Sequence, residues 1–263
     1  MLKTFSRYLT IWWLMSRNSF ISVFYAKIAL VIFLTGKILR FIFFTGFLIF
    51  LIQGTKNLAG YDLHQTLFFF LTFNLIDVSA QFLFREVYRF RPKVVSGDFD
   101  LILIKPVNAL FRSLMGGADV IDLITIPPLI YGIFYVAKFL NPSLLHTTFY
   151  LLLIFNSLLI ATAFHIVVLS LGIITFEIDH LIMIYRDLTS LGRFPVDIYR
   201  EPVRAIITYL IPVGIMITLP AKALMGLVSP IGVAASFGLG IAAVFLATKF
   251  WYFALKKYSS ASS

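Results

Sequence analysis

Five stretches of the chain stay apolar for roughly 20 residues each, at about 28–52, 64–84, 113–137, 148–172 and 231–253. A helix rising ~1.5 Å per residue needs a run of that length to cross a ~30 Å hydrocarbon layer. Period-2 alternation with turn signals is absent, so the runs predict a helical bundle in a bilayer rather than a barrel. The rest of the composition agrees. With 60% hydrophobic and only 13% charged residues and a mean hydropathy of +0.95, the chain lies far from water-soluble domains, in which about a quarter of residues are charged.

The net charge of +10 does not indicate nucleic acid, because Lys and Arg gather in the short segments between apolar runs, as the positive-inside rule requires. The absence of cysteine excludes disulfide frameworks, thiolate chemistry and Cys-based metal sites. Residues 3–19 set Phe5, Leu9, Trp12 and Trp13 among Lys3, Arg7 and Arg17, the pattern of an amphipathic helix lying on the cytoplasmic face. No cleavable leader is read there.

The first two crossings form a hairpin joined by Gln53 to Leu63. Residues 85–112 then carry Arg85, Arg89, Arg91, Lys93, Lys105 and Arg112 against Glu86, Asp98 and Asp100, which predicts a cytoplasmic loop. The third crossing contains Pro127 and Pro128, expected to kink it, and turns at Asn141-Pro142 into the fourth. The sixth ends at Lys256 and Lys257, so parity places both termini in the cytoplasm. Residues 173–226 are ambiguous. Hydropathy selects 205–225 as the fifth crossing, yet Pro212 and Pro220 cut that stretch into pieces suited to a re-entrant segment. No repeat or second domain is visible, apart from a serine-rich tail at 259–263, and residues 1–263 read as one membrane domain.

No catalytic, cofactor or metal site is expected. Thr35-Gly36-Lys37 fails as a phosphate loop, since Val31 replaces the first glycine and Ile38 the magnesium-binding hydroxyl. Gly238 and Gly240 lie in an apolar helix with no preceding strand, and Gly232, Ser236 and Gly240, four apart, instead let the sixth helix approach a neighbour closely. His64, His146, His165 and His180 sit on separate segments without metal-ligand spacing. The informative residues are the charges inside crossings: Lys37 and Arg40 on the first, Asp77 on the second, Asp119 and Asp122 on the third. Charges there are costly and are usually paired. At ~1.5 Å per residue all five fall at a common depth, which predicts either an ion-pair layer among these helices or snorkelling cations around a wet cavity.

Two stretches carry a family likeness. Ser96-Gly97-Asp98-Phe99-Asp100-Leu101-Ile102-Leu103-Ile104-Lys105-Pro106-Val107-Asn108-Ala109-Leu110-Phe111 resembles the loop after the second crossing of ABC-2 type permeases. Gly192-Arg193-Phe194-Pro195-Val196-Asp197-Ile198-Tyr199, followed by Leu210-Ile211-Pro212 and Leu219-Pro220-Ala221, is similar to the "YPxDIY" and proline signatures of the same family, with Phe194 in place of the usual Tyr.

The resemblance implies a six-helix, type V exporter-like bundle with an N-terminal elbow helix. It further implies a cytoplasmic ATP-binding cassette ATPase as partner, a second permease subunit, and a bacterial inner-membrane location. The loop 85–112 would then couple to the ATPase, with Phe99, Leu101, Leu103 and Phe111 as anchors, Arg91, Lys93 and Lys105 orienting, and Gly97, Asp98, Asp100 and Pro106 shaping it. It also favours a fifth crossing at about 174–193, with 195–226 as an outer re-entrant hairpin marked by Gly192, Phe194, Pro195, Asp197, Tyr199, Pro212 and Pro220. Glu177, Asp179, His180, Arg186 and Asp187 make that span unusually polar, and 205–225 stays open. Substrate would meet crossings one, two and five, whose phenylalanines suit something lipid-like. The competing class is a transporter driven by an ion gradient through its buried carboxylates; the missing inverted repeat counts against it.

Overall fold

The computed structural model describes residues 2–175 and 178–259, without the side chains of residues 2–4. Glu177, part of the polar span, the Lys3 side chain and the serine tail beyond Ser259 lie outside the described residues. Among the described residues there is no β-strand; the one β-type pairing is a bridge between Leu58 and Tyr61.

Helix α1 (Leu2–Tyr25) is separated by Ala26 alone from α2 (Lys27–Thr55). The turn that follows uses left-handed backbone at Lys56 (φ 66°) and Gly60 (φ 87°) and hands over to α3 (Leu63–Phe84). There Asp62 and Gln65 form a capping box that satisfies the exposed N–H groups of the first turn. A 3-10 turn, Arg85–Arg89, opens a run of short helices: α4 (Phe90–Val95), α5 (Asp98–Leu103) and α6 (Ala109–Leu114). Helix α7 (Val120–Leu140) starts later than the hydropathy run at 113, because Gly116-Gly117 interrupts the chain and the Asp119 side chain caps the new helix by accepting from the Ile121 N–H (2.8 Å). It continues through Pro127 and Pro128 and stops at Asn141, which is left-handed.

Helix α8 (Leu144–Thr175) pairs most extensively with α12 (Pro230–Lys257). Ser236 and Gly240 provide the close approach: the Asn156 amide of α8 donates to the Ser236 carbonyl (3.0 Å), and its side chain lies directly on Gly240. Between these two helices come α9 (Ile178–Ser190), 3-10 turns at Leu191–Arg193 and Val196–Ile198, α10 (Val203–Ala205) with a π-helical turn at Ile206–Leu210, a second π turn at Gly214–Thr218, and α11 (Leu219–Leu224). The segments Val203–Leu210 and Gly214–Leu224 bend by 76° at Pro212.

Five described helical segments are long and apolar enough to cross a membrane, and six if the bent pair counts as one span. Helix α9, with 13 residues, reaches only ~20 Å by itself.

Contacts define two ends of the bundle. At one, the His64 and Phe139 rings stack (4.4 Å), the Tyr61 hydroxyl donates to Asp197 (3.0 Å) and Gly226 lies on the His146 ring. At the other, Arg91 pairs with Asp179 (3.2 Å), and Phe99 sits among Phe90, Trp251 and Tyr258. Residues 179–197 therefore run from the second end to the first, and the bent pair both begins and finishes near the first. Its middle is threaded into the core, where the Ser157 hydroxyl donates to the Met216 carbonyl (2.5 Å) and Ile217 covers Gly192.

Candidate functional site

Two regions gather the residues that could act. The first is a cavity of about 360 Å³ bounded by α2, α3, α7 and the turn after α9. Lys37, Arg40, Phe41 and Phe44 stand at i, i+3, i+4 and i+7, so one stripe of α2 faces it. Phe70, Asn74, Asp77 and Gln81 form the matching stripe of α3, with Phe73 beside them. Arg193, from the turn after α9, enters between, its guanidinium 5.9 Å from the centres of both the Phe44 and the Phe73 rings. The Phe70 ring stacks on Phe41 and Phe44 at 5.4 and 4.7 Å. These offset stacks and cation–π contacts make the wall aromatic and rigid.

The charges divide in a way that spacing alone does not specify. Lys37 closes on Asp122 in a hydrogen-bonded ion pair linking α2 to α7. Asp119 pairs instead with Arg85 (3.2 Å), a residue of the basic loop. Asp77 accepts from the Gln81 amide (2.9 Å) and feels Arg40 electrostatically without closing an ion pair with it. Among the described residues Arg193 makes no ion pair. It was legible only as part of a motif, and nothing in the sequence signalled that it enters the cavity.

The second region is the run of short helices between α3 and α7. Its centre is Glu86, 5% exposed, which receives both Lys93 and Arg112 (2.9 Å) and lies against Gly116. A lone carboxylate early in a strongly basic segment is the signal that could have singled it out. Gly97 takes φ 80°, a left-handed geometry that favours glycine, and ends α4 so that α5 can turn away. The Ser96 hydroxyl donates to Asp98 (2.8 Å). Asp100 is half-buried beside Tyr258, whose phenol is pushed up to about 12 by burial and by that carboxylate.

Helix α1 straps this region. Arg7 donates to the Pro106 carbonyl (2.8 Å), the Asn108 N–H donates to the Tyr8 hydroxyl (3.1 Å), Phe111 meets the Tyr8 ring edge-on (4.7 Å), and the Ala118 N–H donates to Ser16 (3.1 Å). Several residues expected to face a partner make internal contacts instead: Phe99 is fully buried, Phe111 is half-buried and Lys93 serves Glu86, while Arg91, still exposed, pairs with Asp179 at the surface. Lys105 is exposed, as are Val95, Leu101, Leu103 and Ile104, the last at 79%.

The third set of expected residues divides between the cavity and the first end of the bundle. Phe194 packs on Phe44 (5.7 Å), Pro195 is buried, and Gly192 is covered by Ile217, where a Cβ would lie 2.5 Å from its Cδ1. Asp197 holds Lys222 (2.7 Å) as well as Tyr61, and burial together with that carboxylate raises the Tyr61 phenol. The Tyr199 hydroxyl donates back to the Leu191 carbonyl (3.1 Å); Pro212 marks the bend and Pro220 lies in the first turn of α11. Among the described residues no group of His, Asp and Glu has metal-binding geometry.

The family described as "ABC-2 family transporter protein" matches residues 34–262, nearly the whole chain. No curated protein and no solved structure matches it.

Proposed function

Because the chain belongs to the ABC-2 family of transporter proteins, we propose that it is the membrane-spanning subunit of an ATP-binding cassette exporter. It pairs with a second permease subunit in a bacterial inner membrane and takes its energy from a separate cytoplasmic ATPase. The family supplies transport components of the membrane rather than catalysts, in keeping with the failed phosphate loop at Thr35-Gly36-Lys37.

The observation that carries this reading beyond the family is the build of residues 85–119. A loop that only links two crossings has no need of a buried carboxylate with two cations, three short helices and a strap from α1. This one is braced from within and leaves Leu101, Leu103, Ile104 and Lys105 outward, an apolar edge with a cation beside it, suited to a partner's cleft. In this reading α1 is the elbow and 85–112 the coupling segment. Residues 178–197 form the fifth crossing, supported by the pairings of Asp179 and Asp197 at opposite ends. The bent pair 203–224 is a re-entrant hairpin on the outer side, supported by the flanking residues Asp197 and Gly226, which meet Tyr61 and His146. Both termini are cytoplasmic.

Purification of the tagged chain in mild detergent, with mass spectrometry of what accompanies it, tests the proposal. A cassette ATPase should co-purify and be lost from a Leu101→Ser/Ile104→Ser variant, since both side chains are exposed and neither joins an ion pair as Lys93 and Arg91 do. Absence of any ATPase across several gentle detergents would favour the gradient-driven transporter.

A further inference from the structure

The cavity among α2, α3 and α7 has more positive charge than its own carboxylates balance. Lys37 is committed to Asp122. That leaves Arg40 and Arg193 facing one carboxylate, Asp77, which Gln81 already engages. An arginine at this depth in a bilayer is costly unless an anion or water meets it. The remaining lining is mainly apolar, aromatic at Phe41 and Phe44 and aliphatic at Leu34, Ile38 and Ile124, with Phe70 and Phe73 more deeply buried behind. At about 360 Å³ the volume lies near the lower end of ligand cavities, ~300–1,000 Å³, which suits one hydrocarbon chain rather than several. Its rim includes Ile38 of α2 and Ile124 of α7, both exposed, so the mouth opens on the flank of the bundle between those helices.

We propose that this cavity binds a membrane-borne amphipathic anion, a single acyl or alkyl chain ending in a carboxylate or phosphate, with the head on Arg40 and Arg193 and the chain along the wall of Phe41 and Phe44. The ligand reaches the site laterally from the bilayer. The assignment deepens the exporter reading by naming its cargo class, and rests on that reading only in calling the ligand cargo.

The test uses the full-length chain in phosphatidylcholine nanodiscs with a palmitic acid carrying a mid-chain diazirine, compared with the corresponding alcohol. Labelled peptides are mapped by mass spectrometry, and labelling of the outward face of α8 at Leu151 and Phe155 corrects for partitioning into the bilayer. The acid should label the cavity peptides of α3 and α7 about tenfold more than the alcohol, the gain of one charge-assisted contact. Arg40→Gln with Arg193→Gln should bring the acid down to the level of the alcohol, whereas Arg204→Gln, outside the cavity, should change nothing.

Equal labelling by acid and alcohol overturns the proposal, as does a preference that survives the double substitution. Complete competition by inorganic phosphate overturns the membrane-borne source in favour of a free anion. The comparison of head groups on the unmodified chain stands even where the double variant fails to fold. No ATPase takes part, so loss of binding removes the ligand and leaves the exporter, and loss of co-purification does the reverse.

Discussion

At the scale of single residues the most consequential contact is Lys37 with Asp122, an ion pair between α2 and α7 on a side of the protein where α2 has few other neighbours. Removing one member strands the other in a low-dielectric surrounding. Asp122→Ala should therefore cost about 3 kcal/mol in an SDS-titration unfolding assay, and replacing both residues, Lys37→Met with Asp122→Leu, should recover most of it. Additive losses would show that the two do not work as a pair. The sequence predicts a common level for Lys37, Arg40, Asp77, Asp119 and Asp122, since helical rise converts position into height, and of these Lys37, Arg40 and Asp77 line one cavity while Asp119 caps α7 from outside the helix. The sequence could not assign partners, because Asp119 goes to Arg85 across a turn whose course depends on Gly116 and Gly117. Arg193 was hidden for a related reason: it enters the cavity only because the turn after α9 brings it level with Phe44 and Phe73.

At the scale of elements, legibility followed hydropathy. Helices α2, α3, α8 and α12 fall where runs of about 20 apolar residues lie, because a bilayer demands that length whatever the packing. The start of α7 moved to Val120 through a local cap, and α9 was hard to read because it is short and carries Asp179, Arg186 and Asp187. The small residues four apart on α12 proved specific in two of three cases: Ser236 and Gly240 meet Asn156, whereas Gly232 faces Val228 and Ser229 of its own turn. The bundle depends on that approach. Gly240→Val should push α12 away from Asn156 and destabilise the protein by about 2 kcal/mol, read as a lower midpoint in the same unfolding assay. Gly238→Val, which has open space around it, should be nearly silent.

At the scale of the whole molecule, the path of the chain from one end of the bundle to the other can be tested directly, because the natural sequence has no cysteine to remove. Single Asn57→Cys, Arg200→Cys and Ser229→Cys variants should react with a membrane-impermeant maleimide from the outer side. Ser96→Cys and Ser259→Cys should react only after the membrane is opened. If Arg200→Cys is instead protected with Ser96→Cys, residues 178–197 do not cross and the bent pair is itself the fifth span.

The strap formed by α1 has a mechanical corollary. Arg7, Tyr8 and Ser16 grip the segment between Pro106 and Ala118, and one residue, Ala26, separates that same helix from α2. The outward edge at Leu101–Lys105, α1 and the cavity wall bearing Lys37 and Arg40 are thus linked in series like a crank and its rod. A displacement of the edge by a few ångströms has a direct covalent and hydrogen-bonded route to that wall.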